Sequence, residues 1–320
     1  MICSELSRRE FLKGSTASAA LIAAGGLAPW RAMATRGKVV DEQPWGRLEE
    51  LADGVWAVVS TPLESKDWTT GCNGGLIAGR ERTLAIESFV QPAGAEWLGQ
   101  QARALTGRWP TDVLITHFHG DHANGVEGYG AEDLPHVWVT PTTLDLIRAE
   151  DSQKEEPPSD ERSAMLENVR LIDDKRPVEI DLGGRSVTLQ PRRGHTPSDV
   201  TAEIEDPSIV FCGDLVWNGL FPNYRDTEAK SFTESIRALR RSQESQYVSG
   251  HGALAKGKDV DTLLMLVKSI EAAARQAHEK GIPLADAAAE YQLPDAVADW
   301  VLFNPQYFEV AFKSWYEELS

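Results

Sequence analysis

The chain reads as an α+β protein: two β-sheets packed face to face, helices on their outer faces, and a helical extension at the C-terminal end. Three observations predict this. Two successive series of short apolar runs are each closed by helical patterns. A composition of 42% hydrophobic and 25% charged over 320 residues supports a sizeable core. Residues 284–320 lose the strand pattern and read as helices.

The first strand series begins near Leu48, with runs at 56–59, 75–78 and 83–86 and a polar stretch from Thr61 to Cys72 between the first two. Residues 93–105 carry a helical pattern, 112–116 and 137–139 are further strands, and Pro141 opens a helix running to 149. Residues 151–160, with two prolines and many charges, read as a surface loop. The second series comprises 178–180, 186–190, 200–204 and 209–212. A helix at 232–239, a strand at 246–248 and an amphipathic helix at 260–277 follow. No internal repeat is present.

The N-terminus reads as an export leader. Ser7-Arg8-Arg9-Glu10-Phe11-Leu12-Lys13 matches the twin-arginine signature, an Ala- and Gly-rich apolar run follows, and Ala32-Met33-Ala34 offers a small-x-small cleavage site. The expected organisation is a signal peptide at 1–34, a catalytic domain at 35–280 and a helical extension at 281–320. A periplasmic or otherwise exported location follows, with no stable membrane insertion once the leader is removed. Two cysteines then remain, Cys72 and Cys212, which are either buried apolar residues or a single bridge. The net charge of −17 repels nucleic acid and anionic membranes, leaving a small molecule as the expected partner. The aromatic residues of the extension, among them Trp300, Phe303, Tyr307, Phe312 and Trp315, pack either on the chain's own domain or across a homodimer interface.

The chemistry concentrates at His117-Phe118-His119-Gly120-Asp121-His122. In an extended segment leaving a strand, residues i and i+2 point the same way, so two imidazoles converge. Gly120 lets the backbone turn and brings Asp121 and His122 towards the same point. Nitrogen and oxygen donors of this kind suit zinc or a neighbouring first-row metal, not calcium. Three further candidates sit just past strand-like runs: His195 in Gly194-His195-Thr196-Pro197, Asp214 in Gly213-Asp214, and His251 in Gly250-His251-Gly252. The other histidines of the mature chain, His136 and His278, lack such a setting.

Taken in order, the His-x-His-x-Asp-His, Gly-His-Thr-Pro, Gly-Asp and Gly-His-Gly blocks resemble those of the metallo-β-lactamase superfamily. The resemblance covers roughly Leu48 to Ala277. It implies an αββα sandwich with two metal ions, most simply two Zn2+, at one edge of the sheets. By the resemblance His117, His119 and His195 bind the first metal, Asp121, His122 and His251 the second, and Asp214 bridges. Many members carry Asp on the strand before the motif, where this chain has Glu87-Ser88, so Glu87 is expected to support the ligand loop with a longer reach.

The activity implied is hydrolysis of an ester, lactone, thioester or lactam carbonyl by a metal-bound hydroxide, with Asp121 orienting it and taking its proton. Trp68, Trp217 and Phe221 are candidate pocket residues, and Tyr224 a candidate hydrogen-bond donor to the developing oxyanion. The β-lactamases of the superfamily use Cys or Ser in the region of Asp214, which points instead to the glyoxalase II and lactonase branch. Export weakens a glutathione thioesterase. A β-lactamase and an iron-dependent sulfur or redox enzyme of the same fold remain alternatives.

Overall fold

A computed structural model describes residues 37–60 and 67–320; the leader assigned to 1–34 lies outside them. The first sheet holds β1 (Lys38–Gln43), β2 (Gly46–Ala52), β3 (Val55–Ser60), β4 (Gly74–Ala78), β5 (Thr83–Ile86), β6 (Asp112–Leu114), β7 (His136–Val139) and β8 (Val169–Leu171), side by side in chain order. Pairing is antiparallel up to β5 and parallel from β5 to β8. Each crossover that parallel pairing requires contains a helix: α1 (Pro92–Thr106) between β5 and β6, then α2 (Gly120–Ala123) before β7. Between β7 and β8 lie α3 (Pro141–Ser152) and α4 (Asp160–Glu167).

The second half adds β9 (Val178–Asp181), β10 (Ser186–Arg192), β11 (Asp199–Ile204), β12 (Ile209–Phe211), β13 (Trp217–Asn218), β14 (Gln246–Val248), β15 (His251–Gly252) and β16 (Ala255–Lys256). Six of these form a sheet in the order β16-β14-β12-β11-β10-β9, while β13 and β15 pair with each other. Helices α5 (Ala229–Leu239), α6 (Gly257–Glu279), α7 (Leu284–Glu290) and α8 (Tyr307–Leu319) complete the described chain.

Alternation along β3 explains the layering. Val55, Ala57 and Val59 face the second sheet, meeting Val187, Leu189, Val200 and Ala202. Trp56 and Val58 point the other way, into a core closed by Ala95, Leu98 and Ala102 of α1. The outer face of the second sheet, represented by Val210 and Tyr247, is covered by Phe232 and Ile236 of α5, Leu263 and Val267 of α6, and Phe312 and Trp315 of α8. Together these layers make the αββα sandwich, and the extension packs on its own domain. Trp315 is 1% exposed. Trp315→Ala is therefore expected to destabilise the fold by about 3–5 kcal/mol, read as a lower midpoint in chemical denaturation.

Among the departures from the sequence reading are an added first strand and a helix start within 151–160. Lys38–Gln43 is an edge strand, half exposed along its length, so it shows no apolar alternation to detect. Residues 151–160 are not wholly loop, because α3 runs on to Ser152 and the Ser159 hydroxyl caps α4 by accepting from the Arg162 backbone N–H at 3.0 Å. Arg162 is then buried and ion-paired with Asp151 at 2.8 Å, and it donates to the carbonyls of Ala123 (2.9 Å) and Asn124 (2.8 Å) at the end of α2. The charged segment thus braces the turn that carries Asp121 and His122. Cys72 and Cys212 are both free and buried, in different cores. No helix among the described residues is long and apolar enough to cross a membrane.

Candidate metal centre

Each candidate ligand stands where a strand has just ended. His117 and His119 follow β6, with His119 at the N-cap of α2, whose first turn presents Asp121 and His122. His195 lies between β10 and β11, Asp214 in the turn after β12, and His251 opens β15 just past β14. Rigid strands from both sheets therefore hold seven side chains against one point.

The geometry divides them into two sets. His119 Nδ1 lies 3.2 Å from His117 Nε2 and 3.0 Å from His195 Nε2, and Asp214 Oδ2 lies 3.2 Å from His195 Nε2. On the other side, Asp214 Oδ1 lies 3.2 Å from His122 Nε2 and 3.3 Å from His251 Nε2. Asp121 Oδ2 completes the second set, 3.2 Å from His251 Nε2 and 3.7 Å from His122 Nε2. The two oxygens of Asp214 thus address different sets.

Orientation is fixed from behind. Glu87, held at a positive φ of 73°, accepts from the Thr116 hydroxyl at 2.7 Å and lies 3.0 Å from His122 Nδ1, leaving Nε2 of that ring turned to the centre. His119 Nε2 meets Asp226 Oδ2 at 2.8 Å, and Asp226 also accepts from Arg225 Nε at 2.8 Å. Sequence reasoning missed Asp226, which lies far along the chain in a loop without a motif. Outer partners of this kind typically change metal affinity 10–100-fold. Asp226→Ala is expected to weaken metal binding by about that factor, measured by chelator competition. Gly250 is required by packing, since a Cβ there would sit 2.0 Å from Asp214 Oδ1.

The electrostatics follow from burial and from one another. Burial and the neighbouring His122 push His117 well below the usual histidine range, and burial with nearby imidazoles lowers His195 to about 3. Burial opposes ionisation of Asp214, but His251, His122 and His195 hold its carboxyl well below the usual range. His251 is raised to about 9, because the Asp214 and Asp121 carboxylates outweigh its burial.

Of the aromatic candidates, Trp217 lies against His251 and His195. Its ring lies 4.2 Å from that of His251, tilted by 31°, and its Nε1 donates to the Asp214 carbonyl at 2.9 Å. Phe221 and Tyr224 are placed elsewhere. Both are buried in the core outside the second sheet, where Tyr224 packs edge-on against Phe232 at 5.5 Å and Phe221 against Phe308 at 5.0 Å. After burial, the groups acting on the Tyr224 hydroxyl are Tyr291 and Glu271, none of them a ligand. Trp68 is half-buried. His136 faces Asn168, and His278 packs on Tyr316, both away from the centre.

An αββα sandwich with imidazole and carboxylate donors gathered where both sheets end defines the class of metal-dependent hydrolases. The family described as the Metallo-beta-lactamase superfamily matches residues 71–251, and the chain belongs to it. No curated protein matches the chain in sequence. Among solved structures, a metallo-β-lactamase from Pontibacter korlensis is 19% identical, with a TM-score of 0.56 over 70% of this chain and 99% of its own. One from Erythrobacter litoralis is 18% identical, with a TM-score of 0.55 over 71% and 98%. The stereoselective inverting sec-alkylsulfatase Pisa1 from Pseudomonas sp. is 16% identical, with a TM-score of 0.65 over 85% of this chain and 50% of its own. At these identities the likeness is one of fold.

Proposed function

We propose that the chain is an exported dizinc hydrolase that cleaves an ester or lactone of a small molecule, closer to the lactonase branch than to the β-lactamases. The observation that carries this reading is the placement of the Asp214 oxygens, one facing His117, His119 and His195 and the other facing Asp121, His122 and His251. The donor set fits metal. A tetrahedral site with bonds of about 2.0–2.1 Å has donor–donor edges of roughly 3.3 Å. The imidazole and carboxylate atoms closest to one another stand 3.0–3.3 Å apart. His122 Nε2 and Asp214 Oδ1 are buried without a hydrogen-bond partner, as atoms awaiting a cation are.

His117, His119 and His195 would hold one ion, Asp121, His122 and His251 the other, with Asp214 between them. A divalent pair supplies a water acidified to a pKa of about 7 and Lewis acidity towards the scissile group. Asp121 is the ligand carboxylate open to solvent, its side chain 29% exposed against 4% for Asp214. It orients the attacking water and receives its proton on the carboxylate. Asp226 keeps the His119 ring in one tautomer, and Trp217 screens His251 from water.

Elemental analysis with a substrate panel tests the reading. Two zinc equivalents and turnover of an acyl-homoserine lactone or an aryl ester, without turnover of nitrocefin, are expected. One equivalent at full activity would overturn the two-metal site. Iron would favour redox chemistry, and nitrocefin cleavage a β-lactamase. A thioester tests the glyoxalase II alternative, and a secondary alkyl sulfate belongs in the panel because the alkylsulfatase superposes on more of the chain than the lactamases do.

A further inference from the structure

A cavity of about 710 Å³ opens on the first sheet at the end opposite the metal centre. It lies where β6 and β7 begin, at Thr111 and His136, whereas His117 and His119 follow the other end of β6. Asp112 stands opposite His136 and Trp138 opposite Arg170, so alternation puts these four side chains on one face of the sheet. Two indoles wall the cavity, each held in place through its N–H. Trp138 Nε1 donates to Asp112 Oδ1 at 2.8 Å. That buried carboxylate is paired with Arg82, whose Nε lies at 3.0 Å, and it accepts from the Thr111 hydroxyl at 2.6 Å. Trp109 Nε1 donates to the Tyr129 carbonyl at 2.7 Å, and its ring is seated on Gly99 of α1, where a Cβ would sit 2.4 Å from ring atoms. Leu134, 51% exposed, extends the apolar rim.

We propose that this cavity binds a small aromatic carboxylate, its ring system against Trp109 and Trp138 and its carboxylate on Arg170. Arg170 supplies the charge. It is exposed and has no carboxylate partner among the described residues; its Nη2 lies 3.2 Å from His136 Nε2. A guanidinium only donates, so Nε2 accepts, and Nδ1 carries the ring proton towards Asn168 Oδ1 at 3.2 Å. A neutral imidazole thus orients a cation and leaves its charge uncompensated. The other charges nearby do not cancel it: Arg82 is matched by Asp112, and Asp133 on the rim is exposed and makes no ion pair with Arg170. In a chain of net charge −17, a guanidinium left without a carboxylate beside two indoles suits an anion from outside. The planar fork matches a carboxylate and stacks on aromatic faces, which a point charge does not. The volume falls within the range of small-molecule sites, and walls already fixed by hydrogen bonds lower the cost of ordering them around a ligand.

The cavity stands apart from the metal ligands, so the inference does not depend on the hydrolase reading. Naphthoate, benzoate and uncharged naphthylmethanol serve as probes, titrated by calorimetry into the zinc-loaded full chain. Naphthoate is expected to bind at one site, tighter than benzoate by roughly tenfold for the added apolar area. It should also bind tighter than naphthylmethanol by about tenfold, the value of hydrogen bonds to a charged group. Arg170→Gln should erase the advantage of naphthoate over naphthylmethanol, and Leu134→Glu should weaken naphthoate by setting a carboxylate on the rim. Both positions are exposed, so the thermal midpoint and metal content of both variants should match wild type. A carboxylate could instead sit on the metal, and Asp214→Ala separates the two sites: naphthoate should bind it as it binds wild type. Loss of binding in Asp214→Ala with wild-type affinity in Arg170→Gln would overturn the proposal, as would no binding of naphthoate at millimolar concentration.

Discussion

Asp214→Ala is expected to reduce bound metal from two equivalents to one or none and to lower kcat/KM by more than about 100-fold, the upper end of what a supporting residue costs. The argument is geometric first. Asp214 Oδ2 and Oδ1 are the atoms by which each set of three donors acquires its fourth member, so truncation removes a ligand from both sets at once. It is also electrostatic. The carboxylate is 4% exposed and faces His122, His195 and His251, which hold it ionised against the pull of burial. Without it, two cations in a buried space would be countered by Asp121 alone, and their mutual repulsion would go unbalanced. Asp214→Asn separates the two contributions: it keeps the shape and loses the charge, and the metal deficit should persist. Retention of two equivalents by Asp214→Ala, measured after dialysis against a weak chelator, would remove Asp214 from between the sets.

The gathering of these seven side chains was legible in the sequence because chemistry and spacing coincide there. Two imidazoles at i and i+2, a glycine, and an Asp-His pair have few other uses, and His195, Asp214 and His251 each stand three residues past the end of a strand. The layers were legible for the same reason, since strands buried on both faces, such as Val55–Ser60, are continuous apolar runs. What escaped detection lacks a local signal. Asp226 contacts His119 across 107 residues. Phe303 comes within 6.0 Å of the His251 ring only because Val301 pairs with Leu220, a contact no periodicity announces. Phe221 and Tyr224 show the converse error: they follow Asp214 closely in sequence, but the chain turns them into the core under α5 and α8. Nearness along the chain to a ligand is weak evidence for nearness to its metal, and aromatic residues serve core and pocket equally well.

Metal affinity is expected to depend on pH in a way that separates the two sets. In the metal-free protein His251 titrates at about 9, because Asp214 and Asp121 outweigh its burial, so at pH 7 its Nε2 carries a proton that a cation must displace. His122 is also raised well above its usual range, burial being overcome by Cys72 and the carboxylates of Glu87, Asp214 and Asp121. Each displaced proton makes apparent affinity fall about tenfold per pH unit below the ring's pKa. The second set should therefore lose roughly tenfold per unit through His251 as pH drops from 8 to 7, with His122 steepening the loss. His117 and His195, lowered by burial, are already neutral across this range, so the first set should change little. Dialysis at pH 6 is expected to leave one equivalent and at pH 8.5 two, with proton release in calorimetry accompanying the second. The fold without metal obeys the same linkage with opposite signs. The contribution of His251 is fully present below about pH 6.5 and lost as pH rises through about 9. That of His195, whose folded pKa is depressed to about 3, is lost as pH falls from about 6.5 towards that value. Equal and parallel pH slopes for both equivalents would show that the protons are shared across Asp214, and that the centre loads as a single unit.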